Sequence, residues 1–163
     1  MIALRYVYVL ALAVSLGGTV AVGGIAAPAT FAALQQHDPA SGRFLAGVVV
    51  GEVLRRSYHV AYVADALLLA GLAGMALLGP RPSNFAVRAG IATIMLALTL
   101  YAGVVLTGQI ERLQREIGVS VASLPVADPR RVRFGWLHGL STGLMTITAV
   151  GGLALLYWEA REH

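Results

Sequence analysis

Residues 57–78 read SYHVAYVADALLLAGLAGMALL, an apolar run in which Asp65 is the only formally charged side chain. An α-helix needs about 20 apolar residues to cross the hydrocarbon core of a bilayer. Backbone groups in lipid must satisfy one another, which helices and closed barrels achieve. The run is too long and too continuously apolar for a barrel strand, so it predicts a membrane-spanning helix.

Three further runs of similar length predict spans at about residues 6–28, 85–108 and 134–158. The whole chain has 163 residues, of which 58% are hydrophobic and 12% are charged. Soluble domains carry about 25% charged residues, so this surface suits a bilayer better than water. The fold class predicted is all-α: an integral membrane four-helix bundle, in which residues 1–163 form a single domain.

Proline and aspartate mark the predicted boundaries between the spans. Asp38-Pro39 and Asp128-Pro129 each predict a helix start, with the carboxylate as cap and proline at the first helical position. From Asp38 a helical lead-in reaches the second span, and the sequence leaves open whether this is one long helix or two. The motif GPRPS at residues 79–83 predicts a helix end and a short turn.

The third span is predicted to continue as an amphipathic helix beyond the membrane. Residues 109–116 are mostly polar, but apolar side chains recur at helical spacing: Ile110, Leu113 and Ile117. Such spacing is typical of a helix with one buried face.

The distribution of arginine predicts the orientation, because positive side chains are retained on the cytoplasmic side. All twelve basic residues are arginines. Eight fall on the two longer connections: Arg43, Arg55, Arg56, Arg112, Arg115, Arg130, Arg131 and Arg133. Four fall on the other side: Arg5, Arg81, Arg88 and Arg161. Both termini are therefore predicted to lie outside, in a bacterial inner (cytoplasmic) membrane. The arginines suit lipid headgroups, and no basic face with interleaved aromatics predicts nucleic-acid binding.

Asp65 is the leading candidate for a functional group, because an ionisable side chain inside a span costs about 2.5–3.5 kcal/mol or more to insert. Arg55, Tyr58, Tyr62 and Asp65 recur at helical spacing and form a polar stripe. Facing the bundle interior, this stripe would hold a ligand or carry protons. The alternative, which we favour, is that Asp65 bonds a tyrosine or hydroxyl on a neighbouring helix and stabilises the bundle. Tyr101 of the third span joins the same candidate intrabundle polar site.

His138 completes that candidate site, at the start of the fourth span. Ser141, Thr142 and Met145 follow it at i+3, i+4 and i+7, so we expect His138 to point into the bundle. Histidine with methionine suits copper or haem. No second histidine lies at ligand spacing and the chain has no cysteine. We therefore expect a structural histidine and predict no cofactor and no metal site, with haem or copper as the alternative.

Three segments together carry a resemblance to a known family: Ala27-Pro28-Ala29-Thr30-Phe31, Ala46-Gly47-x₃-Gly51, and Phe134-x₃-His138-x₂-Ser141. In their order and spacing the chain resembles the transmembrane protein 205-like family, also called domain of unknown function 4149 (DUF4149). The resemblance implies a small four-helix membrane protein without an assigned activity. The family often has an aromatic–proline pair just after the Gly51 position, where this chain has Leu54-Arg55-Arg56.

Two functions follow as hypotheses. The first is a non-enzymatic structural or accessory subunit that packs against other membrane proteins or against itself, with small residues on several helix faces. The alternative is binding or transport of a metal, haem or small molecule at the intrabundle polar site. An enzyme ranks third, because the sequence has no Gly-x-Ser-x-Gly, phosphate-binding loop or dinucleotide fingerprint.

Overall fold

The computed structural model describes residues 2–79 and 81–161, and within them it is built from four long helices. They are α1 (Ile2–His37), α2 (Gly42–Leu78), α3 (Phe85–Ile117) and α4 (Pro129–Arg161). Pro80, part of the predicted turn, lies outside the described residues.

Each of the four helices is long and apolar enough to cross a membrane. At about 1.5 Å per residue, the 33 residues of α3 or α4 extend about 50 Å, beyond the roughly 30 Å hydrocarbon core. The helices contain all four predicted spans, and the described residues form no strand. The predicted all-α membrane bundle is confirmed.

The lead-in to the second span is continuous with it, since residues 42–78 form one helix. The predicted start at Pro39 was wrong: the helix begins at Gly42, with Ser41 at the N-cap. Asp38 instead closes a tight turn, in which it accepts hydrogen bonds from the backbone N–H groups of Ala40 (3.0 Å) and Ser41 (3.1 Å) and from the Ser41 hydroxyl. These bonds hold the pKa of the Asp38 carboxyl below its ordinary value.

Gly42 allows the chain to turn back closely on α1. A Cβ at this position would lie 2.0 Å from the carbonyl oxygen of Leu34. The first two helices therefore meet at a point where a larger residue does not fit.

The predicted helix start at Asp128-Pro129 agrees with the structure, where α4 begins at Pro129. The Asp128 carboxylate accepts the backbone N–H of Arg130 at 2.8 Å and its guanidinium at 2.9 Å. The hydrogen bond from the Arg130 side chain is the main reason that the pKa of Asp128 lies below its ordinary value.

The amphipathic extension of the third span is also confirmed. Leu113 and Ile117 are buried in a cluster with Leu106 and with Leu137 of α4. The helix ends at Gly118, whose φ of +68° is a left-handed conformation that favours glycine.

Helices α1 and α3 each contain one π-helical segment, at Ala21–Ala26 and Tyr101–Leu106. The backbone N–H of Ala27 bonds the carbonyl of Val22, and that of Thr107 bonds Ala102, five residues back. The Thr107 hydroxyl also donates to the Ala102 carbonyl at 3.0 Å. These wider turns change the direction in which the following side chains point.

Most of the buried apolar side chains form two clusters. One joins the start of α1 and α3 to the end of α2 and α4: Tyr8, Ala11, Leu12, Leu68, Leu72, Met75, Ala92, Met95 and Leu155. The other is the cluster around Leu106 described above. Along the helices, the stretch between the two clusters contains Asp65.

Candidate functional site

Asp65 lies in the interior of the bundle with 1% of its surface exposed. Its Oδ1 accepts a hydrogen bond from the Ser15 hydroxyl of α1 at 2.6 Å. Its Oδ2 lies 2.9 Å from the Thr99 hydroxyl of α3. One carboxyl group thus connects three helices, and its partners are serine and threonine rather than a tyrosine.

Thr99 has more acceptors than its hydroxyl proton can serve. Its Oγ1 lies 2.9 Å from Asp65 Oδ2 and 2.8 Å from the carbonyl oxygen of Met95, one turn earlier. A hydroxyl has a single proton to donate, so one of these two contacts lacks a proton from Thr99. Both contacts are hydrogen bonds when the Asp65 carboxyl carries a proton and donates it to Thr99, whose own proton then serves the Met95 carbonyl.

A cavity of about 190 Å³ lies beside this cluster and is lined by all four helices. Most of its wall is aliphatic. Six hydroxyl side chains also reach it: Ser15, Thr19, Ser57, Tyr58, Thr99 and Thr148. Asp65 itself is behind Ser15 and Thr99 and does not form part of the wall, so its influence on the cavity passes through these two residues.

Two of the predicted tyrosines stand together near the cavity. Tyr58 is 8% exposed and lines it, and its ring stacks on Tyr62 at a centroid distance of 6.3 Å. Both rings pack against Gly103 in the π-helical segment of α3. A Cβ at Gly103 would lie 1.9 Å from the Tyr62 hydroxyl and 2.7 Å from Tyr58 Cγ. Glycine is required here by close approach.

Two other candidates lie outside this site. Arg55 is on the exposed side of α2 and forms an ion pair with Glu52, one turn earlier, at 2.8 Å. Tyr101 is 45% exposed. The polar stripe on α2 therefore reaches the cavity at Tyr58 and the interior at Asp65, but not at Arg55.

The expectation that His138 points into the bundle was wrong. His138 is exposed, and its ring stacks on Phe134 at 6.0 Å. The preceding residue, Leu137, occupies the inward position at 1% exposure, because it packs with the buried leucines of α3. Ser141 is buried as expected, whereas Thr142 is exposed.

A second polar cluster, absent from the sequence expectations, lies at the end of the bundle that contains the N-terminus. Glu159 of α4 accepts a hydrogen bond from Arg88 of α3 at 2.6 Å and one from Arg5 of α1 at 2.5 Å. Arg88 is fully buried, and its guanidinium lies 5.1 Å from the centroid of the Tyr8 ring. This charged cluster joins α1, α3 and α4, whereas Asp65 and its partners join α1, α2 and α3.

The signal for the charged cluster was present in the sequence. Arg5 and Arg88 stand near the start of the first and third spans, and Glu159 stands near the end of the fourth. In an up-and-down bundle these positions fall at the same end. Arginines near the ends of spans can therefore form interior ion pairs as well as set the topology.

Among residues 2–79 and 81–161, no group of three or more histidine, aspartate or glutamate side chains could hold a metal ion. His138 is exposed and Asp65 is buried, so the two side chains do not share one interior site.

Comparison with protein families gives one match, to the model described as domain of unknown function (DUF4149), over residues 10–119. The chain belongs to this family. The matched region of the DUF4149 chain contains Ser15, Asp65 and Thr99, whereas Glu159 lies beyond it. The likeness to transmembrane protein 205 stays a prediction. Comparisons with curated proteins and with solved structures found no match.

Proposed function

We propose that this DUF4149 protein is a non-enzymatic accessory subunit that packs against other membrane helices. The observation that carries the proposal is a glycine face on α4, defined by Gly135, Gly139 and Gly143. All three are exposed, and a Cβ added at any of them would meet nothing within 4 Å. Small residues at a spacing of four let a second helix approach closely in a membrane.

The interior charges support the same proposal. Glu159 is held between Arg5 and Arg88, and Asp65 is bonded by hydroxyls of two other helices. Their contacts are to the bundle itself, which suits groups that keep helices together. The glycine face is left as the surface through which the bundle would meet a partner helix.

The test is a glycine-to-leucine substitution on the glycine face, Gly139→Leu, with Gly90→Leu on α3 as the matched control. Gly90 is also exposed and also has open space at its Cβ position. Protein purified from native membranes in mild detergent is compared for assembly mass and co-purifying subunits. We expect Gly139→Leu to lose the assembled species and Gly90→Leu to keep it. Equal assembly in the two variants would contradict the proposal.

We further propose a bacterial inner membrane as the location, with both termini outside. The support is the arginine distribution, eight on the longer connections against four on the other side. Reporter fusions at the C-terminus and within residues 119–127 test the orientation. A reporter that is active in the cytoplasm only when fused at the C-terminus would reverse it.

Binding or transport of a small molecule is the second candidate function, and the cavity beside Asp65 favours it. Haem or copper is less favoured than a small molecule, because His138 is exposed and is not among the residues that line the cavity. An optical spectrum and metal analysis of the purified protein test this part. A Soret band or stoichiometric copper would place the cofactor hypothesis first.

A further inference from the structure

We propose that the cavity beside Asp65 binds a small uncharged amphiphile from the bilayer: an alcohol, phenol or ketone whose oxygen meets the Tyr58 hydroxyl. The proposal gives a ligand class to the second candidate function. It does not depend on the glycine face of α4, because the residues of α4 that line the cavity are Leu144, Met145 and Thr148.

The size of the cavity sets the size of the ligand. Its volume is about 190 Å³. An apolar protein cavity of about 150 Å³ accepts benzene. The space therefore suits one substituted ring or a short branched chain, and it excludes a haem.

Most hydroxyls in the wall already donate their protons within the protein. Ser15 donates to Asp65, Thr19 to the Ser15 carbonyl at 2.8 Å, and Ser57 to the Val53 carbonyl at 2.8 Å. These oxygens still have lone pairs with which to accept a hydrogen bond. A ligand hydroxyl would find acceptors here, but few donors.

The Tyr58 hydroxyl differs from these three. It is buried and interacts with Ser141 of α4, yet within the described residues it makes no hydrogen bond of normal geometry. The Tyr58 ring is fixed between Tyr62 and Gly103. A buried donor held in one place beside an open cavity is suited to bond an oxygen atom of a ligand.

The charges around the cavity favour a neutral ligand. Among the described residues no arginine or histidine lines it, so an anion would find no countercharge. The Asp65 carboxyl is separated from the cavity by Ser15 and Thr99, so a cation would have no direct carboxylate contact. The remaining wall is aliphatic and suits the apolar body of the ligand.

The cavity also has a route to the lipid. Two of its lining residues, Val14 and Val60, are 39% and 57% exposed on the outer surface of the bundle. Two others, Val22 and Ala102, belong to the π-helical segments of α1 and α3. Single π-helical turns occur frequently at functional sites, where they displace side chains from regular helical positions.

Phenol is the probe, and its effect on the unfolding temperature of the full-length protein in detergent is the measurement. Benzene tests the need for the hydroxyl, and benzoate tests the need for neutrality. Tyr58→Phe removes the proposed donor, while Tyr101→Phe removes an exposed tyrosine hydroxyl outside the cavity and is the matched control. Ala61→Phe fills the cavity from α2 and Ala102→Leu fills it from α3. If one of these variants does not fold, the other still tests whether phenol binds in the cavity.

We expect phenol to stabilise the wild type and Tyr101→Phe equally. Tyr58→Phe should bind phenol about 3- to 10-fold more weakly, the usual effect of one hydrogen bond. The filled variants should not respond, and benzoate should have no effect. If benzene matches phenol and Tyr58→Phe binds normally, the cavity accepts only apolar chains and the proposal is wrong. A stronger response to benzoate would also overturn it.

Discussion

At the end of the bundle that contains the N-terminus, Glu159 lies between Arg5 and Arg88, whereas in the middle Asp65 contacts the hydroxyls of Ser15 and Thr99. The charged cluster brings opposite charges together, with Arg88 fully buried. Within the part of the chain that the structure describes, Asp65 has no opposite charge in contact, and it lies beside an open cavity.

The difference shows how a small membrane bundle can place polar groups for two purposes. Opposite charges in contact compensate one another and leave little attraction for a third group. Hydroxyls that share one carboxyl retain lone pairs, and Ser15 and Thr99 both line the cavity. We therefore assign the charged cluster to stability and the cavity beside the Asp65 cluster to binding.

The largest expected effect is at the charged cluster. Glu159→Gln removes the charge of the carboxylate that the fully buried Arg88 contacts at 2.6 Å, and removing one partner of a buried ion pair costs about 3–5 kcal/mol. Unfolding in mixed detergents measures the loss. Glu116→Gln, at an exposed position near the end of α3, is the control and should change stability little. A small effect at Glu159 would remove the contrast between the two regions.

A smaller loss is expected where the tyrosines pack. Gly103→Ala would place its Cβ 2.7 Å from Tyr58 Cγ, so the wall of the cavity must shift, at a cost of about 1–3 kcal/mol. Gly108→Ala, in the same helix, has open space at its Cβ and should be neutral or slightly stabilising. Unfolding of both variants in the same detergent checks the pair. Equal stability of the two would mean that the tyrosine wall is loosely packed.

Asp65→Asn should lose about 1 kcal/mol or less. The amide oxygen still accepts from Ser15, and the amide N–H can donate to Thr99, whose own proton then serves the Met95 carbonyl. Asp65→Leu has a side chain of similar size that can neither accept nor donate a hydrogen bond. It should lower the free energy of unfolding by about 1–3 kcal/mol. Comparing their unfolding curves sharpens the contrast with Glu159. A loss in Asp65→Asn as large as that in Glu159→Gln would show that the Asp65 charge itself stabilises the bundle.

The smallest effect is expected outside both regions, at the start of α4. The folded-state pKa of Asp128 lies below its ordinary value of 3.8, so its contribution to stability is present at neutral pH and is lost as the pH falls through the folded-state pKa. Asp128→Asn should therefore be slightly less stable than the wild type at neutral pH and equal to it in acid. Melting temperatures across that pH range measure this. A difference that grows in acid would contradict the assigned hydrogen bonds.

Much of the fold was predictable because length and apolarity alone specify spanning helices. The buried position of Asp65 also followed from the cost of an unpaired carboxyl in lipid. The direction of His138 was not predictable in the same way. Its helix has polar residues on both faces, so periodicity could not choose between His138 and Leu137 for the inward position.

The remaining features depend on contacts between distant parts of the chain. Arg88 and Glu159 are 71 residues apart, and Arg5 and Glu159 are 154 apart. Their pairing requires the relative rotation of three helices, which no local pattern encodes. The cavity depends on how closely all four helices pack, and in part on the π-helical segments.

The phenol-induced shift in unfolding temperature, measured side by side in Glu159→Gln and Tyr58→Phe, separates the two regions most directly. We predict that Glu159→Gln unfolds at a much lower temperature but keeps the full phenol shift. Tyr58→Phe should unfold near the wild-type temperature and show a smaller phenol shift, as binding about 3- to 10-fold weaker requires. A normal shift in Tyr58→Phe, together with a lost shift in folded Glu159→Gln, would contradict the assignment of stability to one region and binding to the other.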